Sequence, residues 1–128
     1  MRSFWIIGVL GLFFFACEKA GTGGKSHVVV HGIYENTGTP GAIVYCVFNE
    51  ETYNSSWVGG DLQDTINNFS EIEFGPLKRG HYYFYSVYTF VNDSGFVDSV
   101  KAGKHIYLGD KPSYYHLTLD FSAVNPFE

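Results

Sequence analysis

His81-Tyr82-Tyr83-Phe84-Tyr85-Ser86-Val87-Tyr88-Thr89-Phe90 is the stretch that decides the fold. It is rich in aromatic and β-branched residues, and a helical period does not organise it. In a strand, successive side chains point to opposite faces. Tyr82, Phe84, Tyr88 and Phe90 then share one face, while Tyr83, Tyr85 and Val87 share the other. The segment predicts a strand with aromatic residues on both of its faces.

Working outward, the same pattern recurs. Candidate strands are 27–34, 42–48, 70–74, 81–90, 96–101, 104–108 and 113–121. The segments between them carry turn chemistry: Asn36-Thr37-Gly38-Thr39-Pro40-Gly41, Gly75-Pro76, Arg79-Gly80, Asn92-Asp93-Ser94-Gly95 and Gly109-Asp110-Lys111-Pro112. About seven short strands with regular turns predict an all-β, antiparallel sandwich. In 42–48, Ile43, Tyr45 and Val47 share one face. In 113–121, Tyr115, Leu117, Leu119 and Phe121 share one face, and Tyr114, His116, Thr118 and Asp120 the other. The longest interruption, 49–69, is polar, carries Trp57 and Gly59-Gly60, and has room for a helical turn near Asp61–Asn68.

The N-terminus is of another kind. Arg2 precedes an uncharged apolar run of twelve residues, Phe4 to Phe15, then Ala16 and Cys17. A transmembrane helix needs about 20 residues. The shorter run, its basic flank and the small residue fit a signal segment. Phe14-Phe15-Ala16-Cys17 resembles the lipobox of bacterial lipoproteins. The resemblance implies cleavage before Cys17, lipid on Cys17, and attachment to a membrane of the cell envelope, the outer membrane favoured, facing the periplasm or the cell surface. Residues 1–16 form the signal peptide in this reading, 17–26 the lipidated cysteine and a Gly-rich tether, and 27–128 the sandwich.

Two motifs in the body carry a second resemblance. Val30-His31-Gly32-Ile33-Tyr34 is followed by Thr39-Pro40-Gly41-Ala42-Ile43-Val44. Later come Ile72-Glu73-Phe74, Gly75-Pro76-Leu77 and Lys78-Arg79-Gly80-His81-Tyr82-Tyr83-Phe84. Together these resemble carboxypeptidase-regulatory-like domains, transthyretin-like (prealbumin-like) sandwiches common in surface proteins of Bacteroidota. The resemblance spans about 27–121. It implies an accessory, binding or spacer role and brings no catalytic residues. Tyr34 stands where that family usually has a small β-branched residue.

Composition and motifs narrow the function. The chain has a formal charge of −5, and loss of Arg2 makes it one unit more negative. An acidic chain with scattered Lys and Arg is not built for nucleic acid. With Cys17 lipidated, Cys46 has no partner for an internal disulfide, and its apolar strand predicts a small buried hydrophobe. Gly24-Lys25-Ser26 lacks the upstream glycine of a phosphate-binding loop, since Lys19 occupies that place. His27 and His31 share a strand face but lie roughly 13 Å apart, too far to chelate one ion. His81, His105 and His116 fall on different strands with no ligand spacing between them. Glu71 and Glu73 lie roughly 6.6 Å apart on one face, a separation a glycosidase uses and a solvated strand also produces. No catalytic motif, metal site or cofactor is predicted.

The tyrosines are the remaining anomaly. A sheet face open to water usually carries polar residues, yet the strand phase that the family resemblance implies turns Tyr82, Phe84, Tyr88 and Phe90 inward and Tyr45, Tyr83 and Tyr85 outward, with Tyr114 and His116 outward on the last strand. Two readings follow. In one, these five residues form a contact surface for a protein or glycan partner. In the other, 49–69 folds over the tyrosines and the chain is a structural spacer or accessory subunit of an envelope assembly. Either way the expected activity is non-enzymatic.

Overall fold

The computed structural model describes residues 19–127; the signal segment and Cys17 lie outside the described residues. Eight strands follow in chain order: β1 (Thr22–Tyr34), β2 (Thr37–Gly38), β3 (Ile43–Phe48), β4 (Leu62–Thr65), β5 (Glu71–Leu77), β6 (Gly80–Val91), β7 (Val97–Leu108) and β8 (Tyr114–Asp120). There is no helix among the described residues.

They form two four-stranded sheets. In the first, β1 is central. It pairs antiparallel with β5 and, at its far end, with the two-residue β2. Its other edge pairs with β8 in parallel, from His27↔Tyr114 to Ile33↔Asp120. The second sheet runs β4-β3-β6-β7, antiparallel throughout. The expected sandwich is therefore present, with one parallel pair in place of a wholly antiparallel arrangement.

Alternation explains the core between the sheets. Val28 and Val30 of β1 and Leu117 and Leu119 of β8 point inward and are buried. Val44 and Cys46 of β3 meet them from the second sheet with Tyr82 and Phe84 of β6. Phe74 crosses the gap to stand edge-on to Phe84, ring centroids 5.4 Å apart. Burial pushes the Cys46 thiol far up, with Asp61 nearby adding to the shift, so the cysteine is an inert core residue.

Three boundaries differ from the expectations. The tether is shorter, because pairing with β5 starts at Thr22. Irregular register between Thr22 and Val28 lets this Gly-rich piece follow β5. The expected strands 96–101 and 104–108 are one, since Ala102 points into the core and Gly103 keeps the ladder continuous. The helical turn near 61–68 is instead β4, a polar edge strand on β3, which suits an edge open to water. Ile66 follows it and is buried in the core.

Candidate functional site

The second sheet's outer face carries Tyr45, Tyr83 and Tyr85, on the side opposite Tyr82 and Phe84, as alternation requires. Tyr45 and Tyr85 are direct neighbours in the ladder, and their rings stack at 4.9 Å. The face is not open, however. Tyr83 is 1% exposed and Tyr85 3%. The β3–β4 loop folds back over them.

Local chemistry sets that path. Asn49 takes a left-handed conformation, φ 62°, and its N–H donates to the His81 carbonyl at 2.8 Å. At the loop's far end the Phe48 N–H donates to Asp61 Oδ2 at 2.7 Å. Asn54 Oδ1 accepts from the Ser56 N–H at 2.9 Å, a side-chain turn that leads into Trp57. Tyr53 and Trp57 then lie on the tyrosine pair, with Tyr53–Tyr85 at 5.6 Å and Trp57–Tyr83 at 5.6 Å. Tyr85 donates its hydroxyl proton to the Gly59 carbonyl.

Phe127 completes the cover. Phe127 stacks on Tyr53 at 4.1 Å, and its carbonyl accepts from the Tyr83 hydroxyl at 3.0 Å. Gly103 is required beneath: a Cβ there would stand 2.7 Å from the Tyr83 ring. Burial first, then the neighbouring Tyr53, pushes the Tyr83 phenol up to about 12. Burial likewise raises Tyr85, with Tyr45 and Tyr53 adding to it. These tyrosines are thus a second packed layer, and the expected contact surface at Tyr83 and Tyr85 is corrected accordingly. Tyr45 is half-buried at its margin.

Tyr114 and His116 lie on the opposite side of the molecule, on the first sheet's outer face. Tyr114 is 65% exposed and stacks flat on His27 at 4.7 Å. His31 Nε2 meets His116 Nδ1 at 3.1 Å. Carboxylates flank both pairs, with Glu73 3.5 Å from His27 and Glu71 3.6 Å from His31. The five expected contact residues therefore divide between two faces and form no single site.

Two other features were not expected. The first is a groove of about 500 Å³ at the end of the sandwich where β1 and β6 finish. Tyr34, Tyr88 and Phe90 line it. Phe90 stacks with Tyr88 at 5.6 Å and meets Tyr34 edge-on at 5.1 Å. Exposed Glu35, Asp93 and Asp98 stand around it. The phase of the resembled family turns Tyr88 and Phe90 inward, but here they line an open groove.

The second is a meeting of His81 with His105. His81 Nδ1 lies 2.8 Å from His105 Nε2 and 3.4 Å from Glu51 Oε1. These three side chains are close enough to share a metal ion. Burial first, then His81, lowers the pKa of His105, with Glu51 acting the other way. His116, the third histidine of the sequence expectation, belongs to the other sheet. Compared with known proteins, the chain matches no family model, no curated protein and no solved structure.

Proposed function

We propose that this chain is a lipid-anchored envelope protein and a non-enzymatic binding module, a transthyretin-like sandwich whose end groove takes a glycan or a donor-rich protein segment. The groove carries the reading. Its aromatic wall suits the C–H faces of sugar rings or an apolar side chain, and its carboxylates accept hydrogen bonds from hydroxyl or amide donors. Its volume falls within the roughly 300–1,000 Å³ of small-ligand sites.

Placement supports the same reading. Anchored through Cys17, the chain enters the sandwich where Gly21 contacts Lys78 and Tyr82. β1 then runs from Thr22 to Tyr34. At about 3.3 Å per residue that is roughly 40 Å. The groove lies at the far end of this strand from Gly21. The Arg2, Phe4–Phe15 and Ala16-Cys17 pattern supports the anchor itself.

Glycan and peptide arrays probed with the full chain test the groove. Saturable binding that Asp93→Asn with Asp98→Asn removes, and Tyr114→Ala with His116→Ala leaves intact, supports it. Loss through the second pair instead moves the contact to the first sheet. A chain that binds nothing on either array is better described as a structural spacer. For the anchor, Cys17→Ser should release the protein from membranes or block its maturation, and unchanged fractionation and mass would refute it.

A further inference from the structure

We propose that Glu51, His81 and His105 form a site for a divalent cation of the zinc type, which ties the β3–β4 loop to the second sheet. The three ligands come from three separate places: the loop, the first turn of the ladder in β6, and β7. In the β6–β7 register His81 faces Tyr107 and Tyr83 faces His105, so the two histidines are diagonal neighbours on the outer face. The Asn49 N–H bond to the His81 carbonyl holds the start of the loop against the same strand, and Glu51 follows two residues later.

The donor spacing can accommodate an ion. Ligands at 2.0–2.1 Å around a tetrahedral ion lie about 3.3 Å from one another. The donor atoms here lie 2.8 and 3.4 Å apart along the two measured sides, and all three within 4.8 Å. Without a cation, one of the facing imidazole nitrogens must carry the proton for their contact to be attractive. A divalent cation replaces that proton and satisfies both nitrogens and the carboxylate together. Imidazole with carboxylate suits zinc and its first-row neighbours better than magnesium or calcium, which prefer all-oxygen sets. Three protein ligands leave one tetrahedral position for solvent.

The first sheet provides an internal comparison. His31 faces His116 through Nε2 and Glu71 through Nδ1. Those nitrogens are on different edges of the ring, so that trio does not converge on one point. At the proposed site His81 presents the same Nδ1 to both partners.

The test is calorimetric titration of the full chain in detergent with zinc chloride, in excess magnesium. The expected result is one saturable site per chain, weakened at least about tenfold by His105→Gln and by Glu51→Gln and unchanged by His116→Gln. Zinc should also slow amide hydrogen exchange in residues 49–61. Should either variant fold poorly, the wild-type chain still decides the matter through its imidazole nuclear magnetic resonances: zinc should move those of His81 and His105 and spare His27, His31 and His116. Absence of saturable binding, weakening by His116→Gln, or resonance shifts confined to the first sheet would overturn the proposal.

Discussion

On the second sheet's outer face, Tyr83 and Tyr85 lie under Tyr53, Trp57 and Phe127. On the first sheet's outer face, Tyr114 and His116 stand in the open beside His27 and His31. Both faces arise from the same two-residue alternation, and both carry aromatic side chains. The difference is what the neighbouring chain does. The β3–β4 loop brings two large aromatics and a clamp at each end. The segments flanking β8 bring Lys111, Pro112 and Ser113 on one side and the turn after Asp120 on the other. Alternation therefore assigns a side chain to a face, and the connections decide whether that face is surface or interior.

The largest effect should come from removing a member of the covered layer. Tyr83→Ala takes away a fully buried ring together with its hydrogen bond to the Phe127 carbonyl. Deletions of this kind from packed interiors cost about 3–5 kcal/mol. Urea denaturation measures it. A loss under about 1 kcal/mol would mean that the cover does not pack and that the two faces are alike.

Next is Gly103→Ala. The new Cβ would stand 2.7 Å from Tyr83 Cε1 and 2.8 Å from its hydroxyl, so the ring must rise against Tyr53 and Trp57. Overpacking of this sort costs about 1–3 kcal/mol. The same substitution should be silent in a background already carrying Tyr83→Ala, and a double-mutant cycle reads that coupling.

A smaller effect should appear in alkali. Folding raises the Tyr83 phenol from its ordinary value of 10 to about 12. Between those values the unfolded chain has lost the proton and the folded chain holds it. Stability that is complete below pH 10 should therefore fall as the pH rises toward 12. Tyr83→Phe should lessen this slope relative to the wild type, and urea denaturation across that pH range reads it. A slope in Tyr83→Phe equal to the wild type's would show that the Tyr83 ring is not held in a packed layer.

Much of this was legible in the residues. Val44 with Cys46 on one face, Tyr83 and Tyr85 opposite Tyr82 and Phe84, and Leu117 with Leu119 on one face all follow from period two. The β4 strand was not, because Gln63-Asp64-Thr65 is polar and gains its order from pairing with β3. The cover was not, because the contacts of Tyr53 and Trp57 with Tyr83 span a long loop and leave no local period. The parallel pairing of β8 with β1 joins the two ends of the described chain, and no turn signals it. The meeting of His81 and His105 had a signal. The Asn92–Gly95 turn fixes the hairpin register, and counting back along both strands brings the two rings together. Glu51 had none, since its position depends on the loop. The end groove was hidden for a related reason, because alternation puts Tyr88 and Phe90 on one face and says nothing about where the sheets separate.

The smallest effect should come from Tyr114→Ala. Its ring is 65% exposed and rests on His27 with planes only 9° apart. What the fold loses is one aromatic contact on an open surface, with no packed layer above it to collapse. Aromatic pairs contribute about 0.5–1.5 kcal/mol, and exposed positions fall toward the low end, so a loss of about 0.5 kcal/mol is expected. Differential scanning calorimetry of this variant beside Tyr83→Ala gives the comparison directly. The His27 backbone should keep its place, because it pairs with β8 at Tyr114 whatever side chain that residue bears. A destabilisation matching that of Tyr83→Ala would show that the first sheet's outer face is also covered, by residues outside 19–127 or by a second chain, and the contrast between the two faces would then fail.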